Sequence, residues 1–113
     1  MGSEARRMPR RPVNGIVDVV DTLTGERIGH LGNLSVGGML LIAGVPMGDD
    51  ALYQLRFALP DDGGPIEVGA HVLWQDTGGA PGQAWVGLRF IGLSADATRR
   101  LRDWTSREPA APG

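Results

Sequence analysis

Four arginines fall within six positions near the start of the sequence, at Arg6, Arg7, Arg10 and Arg11. A guanidinium group donates its hydrogen bonds in a planar fork that matches phosphate oxygens and also the O6/N7 edge of guanine. Pro9 and Pro12 disfavour a helix here, so the segment should be extended or turning. Residues 1–12 are therefore predicted to form a flexible arm that wraps around an anionic ligand, or else a solvated tail without a partner.

The spacing of these arginines allows two overlapping R-x-x-x-R pairs. Arg6 pairs with Arg10 in one register, and Arg7 pairs with Arg11 in the other. The residues alone do not favour either register, and both remain open at this point.

A second polar cluster lies at residues 32–39, which read GNLSVGGM. Asn33 and Ser35 have short side chains that hydrogen-bond nearby backbone, and Gly38 permits another group to approach the chain closely. Taken alone, this pattern favours a tight turn between two strands. Whether this cluster also binds a ligand depends on the other motifs of the sequence.

The charge of the chain is unevenly distributed. Residues 1–12 carry four arginines and one glutamate (4 − 1 = +3), whereas the rest carries seven arginines and twelve acids (7 − 12 = −5). This balance argues against a domain that coats duplex nucleic acid by bulk electrostatics. There is no cysteine, and His30 and His71 are isolated, so the sequence offers no nucleophile–base pair, metal cluster or cofactor motif. We expect neither an enzyme nor a cofactor.

No segment of the sequence is expected to enter a membrane. The longest apolar run, at residues 39–47, contains a proline and is far shorter than the roughly 20 residues that a spanning helix needs. No apolar segment of the signal-peptide kind follows the arginines. We therefore expect a cytoplasmic protein.

Most of the remaining sequence has the two-residue period of strands. Residues 52–60, 66–75 and 84–93 alternate between apolar and other residues, and the second of these places Trp74 on the apolar face with Val72. At the end of a strand, Trp74 could instead border a ligand. About six short strands separated by glycine-rich turns predict a small antiparallel barrel or sandwich.

The period changes to that of a helix at residues 94–108. Ser94 is a suitable N-cap, and Asp96 in the first turn suits the positive end of the helix dipole. Apolar residues then follow at i, i+4 and i+7, namely Ala97, Leu101 and Trp104. The helix should lie across one opening of the barrel.

In combination, these motifs resemble the PilZ family of cyclic-di-GMP receptors. R-x-x-x-R precedes the first strand, and N-x-S-x-x-G follows about two strands later. A V-x-W-like strand at 72–74, a G-h-x-F strand at 87–90 and a C-terminal helix complete the similarity, which covers roughly residues 5–105. Each motif is weak alone, but their order and separation are specific.

The resemblance implies a single domain that is mainly β: a six-stranded antiparallel β-barrel at 13–93, with a C-terminal α-helix at 94–108 and a tail at 109–113. It implies a bacterial second-messenger receptor that binds cyclic-di-GMP and no nucleic acid. Family spacing slightly favours the pair Arg6 and Arg10. The residues implied for ligand binding are Arg6, Arg7, Arg10, Arg11, Asn33, Ser35, Gly38 and Trp74.

Two hypotheses for signalling follow. In the first, cyclic-di-GMP orders the arginine arm, and a downstream protein partner reads the altered surface. In the alternative, the domain is an adaptor that works without nucleotide, through the barrel face and the helix bearing Leu101 and Trp104. Titration with cyclic-di-GMP separates the two.

Overall fold

A computed structural model describes residues 10–60, 63–77 and 80–107 of the chain. It contains seven strands and one helix in these residues: β1 (Arg11–Pro12), β2 (Asp18–Asp21), β3 (Glu26–Leu34), β4 (Gly38–Ala43), β5 (Leu52–Ala58), β6 (Pro65–Asp76), β7 (Ala84–Ile91) and α1 (Ala95–Ser106).

The strands form one antiparallel sheet in the order β1-β3-β2-β5-β6-β7-β4, and an additional pairing of β3 with β4 closes it. The closed part has six strands, and β1 is a short addition on β3. Closure satisfies the backbone groups that an open sheet would leave unpaired at its edges. The predicted six-stranded antiparallel barrel with a C-terminal helix is confirmed.

The core is built by the predicted alternation of β5, β6 and β7. Leu55 and Phe57 on β5 face the interior together with Val86 on β7. The rings of Phe57 and Phe90 stack with their centroids 6.2 Å apart. The three long strands therefore follow the two-residue period over most of their length.

Strand β6 departs from this period near its end. The pairing of β6 with β7 shifts register between Val72 and Trp74, which is a β-bulge. An extra residue in a strand reverses the in–out alternation beyond it. Leu73 and Trp74 are consequently both about half-exposed, at 54% and 51%. The expectation that Trp74 packs in the core by alternation is wrong.

Helix α1 begins as predicted. The Ser94 side chain accepts a hydrogen bond from the Ala97 backbone N–H at 3.0 Å, and Asp96 lies in the first turn. Ala97, Leu101 and Trp104 are buried in the barrel core. Because Leu101 and Trp104 are almost fully buried, a docking surface on α1 would have to use other residues of the helix. In the described part of the chain, no helix is long and apolar enough to cross a membrane.

The end of the predicted arm belongs to the sheet. Arg11 and Pro12 form β1 and pair with Leu34 and Asn33 of β3. Pro12 lacks a backbone N–H, which an edge strand of this kind tolerates. Residues 1–9, which contain most of the predicted arm, lie outside the described residues.

Candidate ligand-binding site

A surface groove of about 460 Å³ lies on the outside of the barrel. Because β3, β4, β7 and β6 are consecutive neighbours in the barrel, residues of these strands line one continuous surface. The lining residues are Arg10, Asn33, Met39, Leu40, Leu73, Trp74, Trp85, Gly87 and Leu88. We call this surface the outer groove. Two other grooves formed by described residues have no cationic side chain in their lining.

The polar end of the outer groove is formed by Arg10 and Asn33. Arg10 is exposed, and its Nη1 donates a hydrogen bond to Asn33 Oδ1 at 2.6 Å. A guanidinium group has five N–H donors, so this bond leaves others for a ligand. Asn33 carries no charge and does not repel an anion. Arg10 is therefore directed toward the groove while retaining its capacity to bind phosphate or guanine.

A second β-bulge places Asn33 on the outer face. The pairing of β3 with β4 shifts register between Leu31 and Asn33. Leu31 and Leu34 are both buried although they are three residues apart, and Gly32 and Asn33 lie between them, less buried. A strand without the bulge would have turned alternate residues inward. The bulge thus exposes the amide that contacts Arg10.

The other end of the outer groove is aromatic. Trp74 and Trp85 are 51% and 48% exposed, which is unusual for so large an apolar side chain. Trp74 pairs across β6 and β7 with Gly87, and its indole lies against that glycine. A cationic end and an aromatic end joined by an apolar floor suit a ligand that has both phosphate and a flat base.

Ser35 is not among the lining residues of the groove. It is 3% exposed, and its Oγ accepts hydrogen bonds from the backbone N–H groups of Gly37 and Gly38, each at 3.2 Å. The Ser35 backbone N–H in turn donates to the Gly38 carbonyl at 2.9 Å. These bonds shape the turn between β3 and β4, which is the structural role that the sequence allowed for this motif.

Gly38 is required by the neighbouring strand. A Cβ built on Gly38 would overlap the carbonyl oxygen of Leu88 on β7 and lie 3.2 Å from the Arg89 Cα. The absence of a side chain on Gly38 therefore allows β4 and β7 to approach each other closely. The structure brings Arg10, Asn33 and Trp74 together and leaves Ser35 and Gly38 in the turn that supports them.

Arg11 makes its contacts with the helix. Its Nη1 donates to the backbone carbonyl of Trp104 at 2.8 Å, and its Cζ lies 4.1 Å from the centroid of the Trp104 ring. Both contacts favour a cation, because the carbonyl and the ring face are electron-rich. Arg11 thus ties β1 to α1. Arg6 and Arg7 lie outside the described residues.

Sequence reasoning missed Trp85 and Gly87 as parts of this surface. They are two residues apart on β7, and strand alternation places both on the outer face. An outward tryptophan beside an outward glycine was a signal for a binding surface. Their proximity to Arg10 could not be seen, because it depends on the pairing of β4 with both β3 and β7.

Replacing Ser35 by alanine should destabilise the fold. The buried N–H of Gly38 and the partly buried N–H of Gly37 would lose their acceptor, which should lower the free energy of unfolding by about 1–2 kcal/mol. Chemical denaturation measures this change. Ser106→Ala is the matched control, since Ser106 is exposed at the end of α1 and bonds only the Asp103 carbonyl among the contacts described. An unchanged denaturation midpoint for Ser35→Ala would contradict the role of its hydroxyl in the turn.

Comparison with known proteins identifies the family. The sequence profile of the PilZ domain matches residues 4–107. A closed antiparallel barrel with a C-terminal helix and a cationic outer groove accompanies this match over nearly the whole chain. The chain belongs to the PilZ domain family. No curated protein sequence matches it significantly.

Solved structures share this fold. The inhibitor of motility MotI/DgrA of Bacillus subtilis superposes with a TM-score of 0.72 at 19% identity, over 88% of this chain and 48% of that one. YcgR of Escherichia coli in complex with c-di-GMP gives a TM-score of 0.70 at 17% identity, over 88% and 43%. The c-di-GMP complex of MrkH from K. pneumonia gives 0.68 at 21% identity, over 88% and 50%.

This chain spans about half the length of those three proteins. The isolated PilZ domain of YcgR with c-di-GMP is matched over 88% of both chains, with a TM-score of 0.68 at 16% identity. The shared part is therefore the domain itself.

Proposed function

We propose that this protein is a cyclic-di-GMP receptor domain that binds its ligand in the outer groove. The observation that carries the proposal is the placement of the Arg10 guanidinium, bonded to Asn33, at one end of a groove whose other end holds Trp74. Membership of the PilZ family supports it, as do similar structures solved with c-di-GMP. The domain acts by binding rather than by catalysis.

The ligand offers groups that complement both ends of the groove. Its phosphates and the O6/N7 edges of its guanines accept forked hydrogen bonds, which Arg10 supplies. Asn33 can donate its amide N–H₂ or accept from a guanine once Arg10 has turned to the ligand. The Trp74 indole provides a flat surface for a guanine. Ser35 and Gly38 support binding through the shape of the turn.

The different contacts of two neighbouring arginines support one register of the arginine motif. Arg10 lines the groove, whereas Arg11 is held by Trp104. These contacts support Arg6 with Arg10 as the pair that faces the ligand, with Arg7 as an additional contact.

Signalling would proceed by ordering of the arm. Pairing of Arg11 and Pro12 with β3 anchors the arm at its end, so the change on binding is confined to residues 5–10. When the guanidinium groups close over the ligand, the surface of the domain around the groove would change. A downstream protein partner can distinguish this ligand-bound surface from that of the free protein. The nucleotide-independent adaptor predicts no such change.

Binding should be specific for the cyclic dinucleotide. Linear pGpG and GTP should bind roughly tenfold or more weakly than cyclic-di-GMP, because pGpG must lose more conformational freedom on binding and GTP has only one guanine. Calorimetric titration of the whole chain, with competition by each nucleotide, measures this difference. Equal affinity for GTP would contradict a dedicated cyclic-dinucleotide site. No binding of any of the three would favour the adaptor.

Amide hydrogen exchange should detect the ordering of the arm. The backbone amides of residues 5–8 and 10 should exchange rapidly in the free protein and become protected when cyclic-di-GMP is bound, whereas Pro9 has no amide N–H. The Val13 amide is an internal reference, since it already donates to the Gly32 carbonyl at 3.1 Å. Equal protection of residues 5–10 in both states would remove the switch mechanism and leave the binding site intact.

A further inference from the structure

Gly87 determines where the Trp74 indole lies. A Cβ built on Gly87 would overlap Nε1 and Cε2 of Trp74 and lie 2.8 Å from its Cζ2. Any larger residue at position 87 would therefore displace the indole. Since Gly87 is on β7, next to β4, the indole extends across the sheet from β6 toward the side on which Asn33 and Arg10 lie.

Trp85 extends the same aromatic surface. It is outward-facing on β7, two residues from Gly87, and pairs with Asp76 of β6 and Ile42 of β4. It lines the outer groove with Trp74 and is exposed to nearly the same extent. The third tryptophan, Trp104, is 3% exposed and packs in the core.

We propose that Trp85 is a second base-stacking residue of the outer groove and that Gly87 is a positioning residue, which seats Trp74 for the first stack. The inference rests on the proposed function and adds to it the surface that recognises the bases. The Trp74 indole lies over Gly87, and Trp85 is also on β7, which is two strand-to-strand steps from β3, or roughly 10 Å along the sheet. Phosphate recognition at Arg10 and base recognition at the indoles can therefore operate on one extended ligand.

Burial of exposed aromatic area would provide the binding free energy of the two stacks. Two indoles half open to water lose hydration on stacking with a flat base, and base–aromatic stacking tolerates any base because every base has a π-face. The indoles would then add affinity, while the arginine forks select guanine and phosphate. Gly87 also holds the Trp74 indole in place before the ligand binds. The side chain therefore loses less conformational entropy on binding.

Calorimetric titration of the whole chain with cyclic-di-GMP tests the proposal. Trp85→Ala should bind roughly 5- to 150-fold more weakly than the parent, which is the range for loss of one stacked base. Trp85→Phe should retain most of the affinity because a flat ring remains. Leu23→Ala is the control, since Leu23 is exposed on another face and lines a different groove.

Gly87→Ala should also weaken binding, and the melting temperature should change little because the half-exposed indole can swing away. Gly44→Ala is its control, as a Cβ there meets no atom within 4 Å. In a Trp85→Phe background the emitting indoles are Trp74 and the buried Trp104. There, Gly87→Ala should shift the emission of the free protein to the red and reduce the quenching by ligand.

The outcomes distinguish this inference from the proposed function. If the parent chain fails to bind cyclic-di-GMP, both fall. If the parent binds and Trp85→Ala binds equally well, the second stack is overturned and the receptor function stands. If Gly87→Ala leaves both emission and affinity unchanged, Gly87 has no positioning role.

Discussion

Replacing Arg10 by alanine should weaken the binding of cyclic-di-GMP by roughly 10- to 150-fold, because the ligand loses charge-assisted hydrogen bonds worth about 1.5–3 kcal/mol. The melting temperature of the free protein should hardly change, since Arg10 is exposed and its one described bond is to Asn33. Isothermal titration calorimetry and thermal denaturation of the same sample measure the two effects.

Three further variants serve as controls for Arg10→Ala. Arg10→Lys should also bind poorly, because an ammonium group cannot form the forked contact. Arg11→Ala should lower the melting temperature instead, since it removes the contacts of β1 with Trp104. Arg99→Ala, on the exposed face of α1, should change neither. Parent-like affinity of Arg10→Ala beside weakened binding by Arg99→Ala would show that the proposed site is misplaced.

Replacing Gly38 by alanine should reduce the free energy of unfolding by about 3 kcal/mol or more. The added Cβ would overlap the Leu88 carbonyl, and backbone in a paired strand cannot move aside as a flexible side chain can. A loss of this size should lower the melting temperature by roughly 10 °C or more. Calorimetric or circular-dichroism melting measures it.

Gly44→Ala provides the matched control for Gly38→Ala. Gly44 directly follows β4, and a Cβ there meets nothing within 4 Å. Its stability should change by at most about 1 kcal/mol, in the stabilising direction. If Gly38→Ala instead melted like the parent but lost affinity for cyclic-di-GMP, Gly38 would be needed for approach of the ligand, as the family motif implies, and not for the pairing of β4 with β7.

Much of the fold could be predicted from the sequence because it depends on local periods. Two-residue alternation placed Leu55, Phe57 and Val86 in the core, and glycine-rich turns divided the strands. The cap at Ser94 and the stripe that ends at Trp104 located the helix. Each of these patterns spans only a few consecutive residues, so it can be recognised in the sequence without knowledge of the fold.

The candidate site was only partly predictable, because long-range pairing decides which side chains meet. Arg10 and Arg11 are neighbours with equal charge, yet the first lines the groove and the second contacts Trp104. Side chains of successive residues in an extended chain point to opposite sides. Which side faces the groove depends on the pairing of β1 with β3, and no local pattern encodes that choice.

The sequence by itself therefore determined the barrel, the helix and the residue types able to bind phosphate and guanine. Only the tertiary structure decided which of them meet. Bulges in β3 and β6 turn Asn33 and Trp74 outward against the local alternation. The contact of β4 with β7 makes Gly38 a packing residue. A bulge or a close contact between strands depends on which strand is the partner. That partner is defined by the strand pairing of the closed barrel and not by the local sequence.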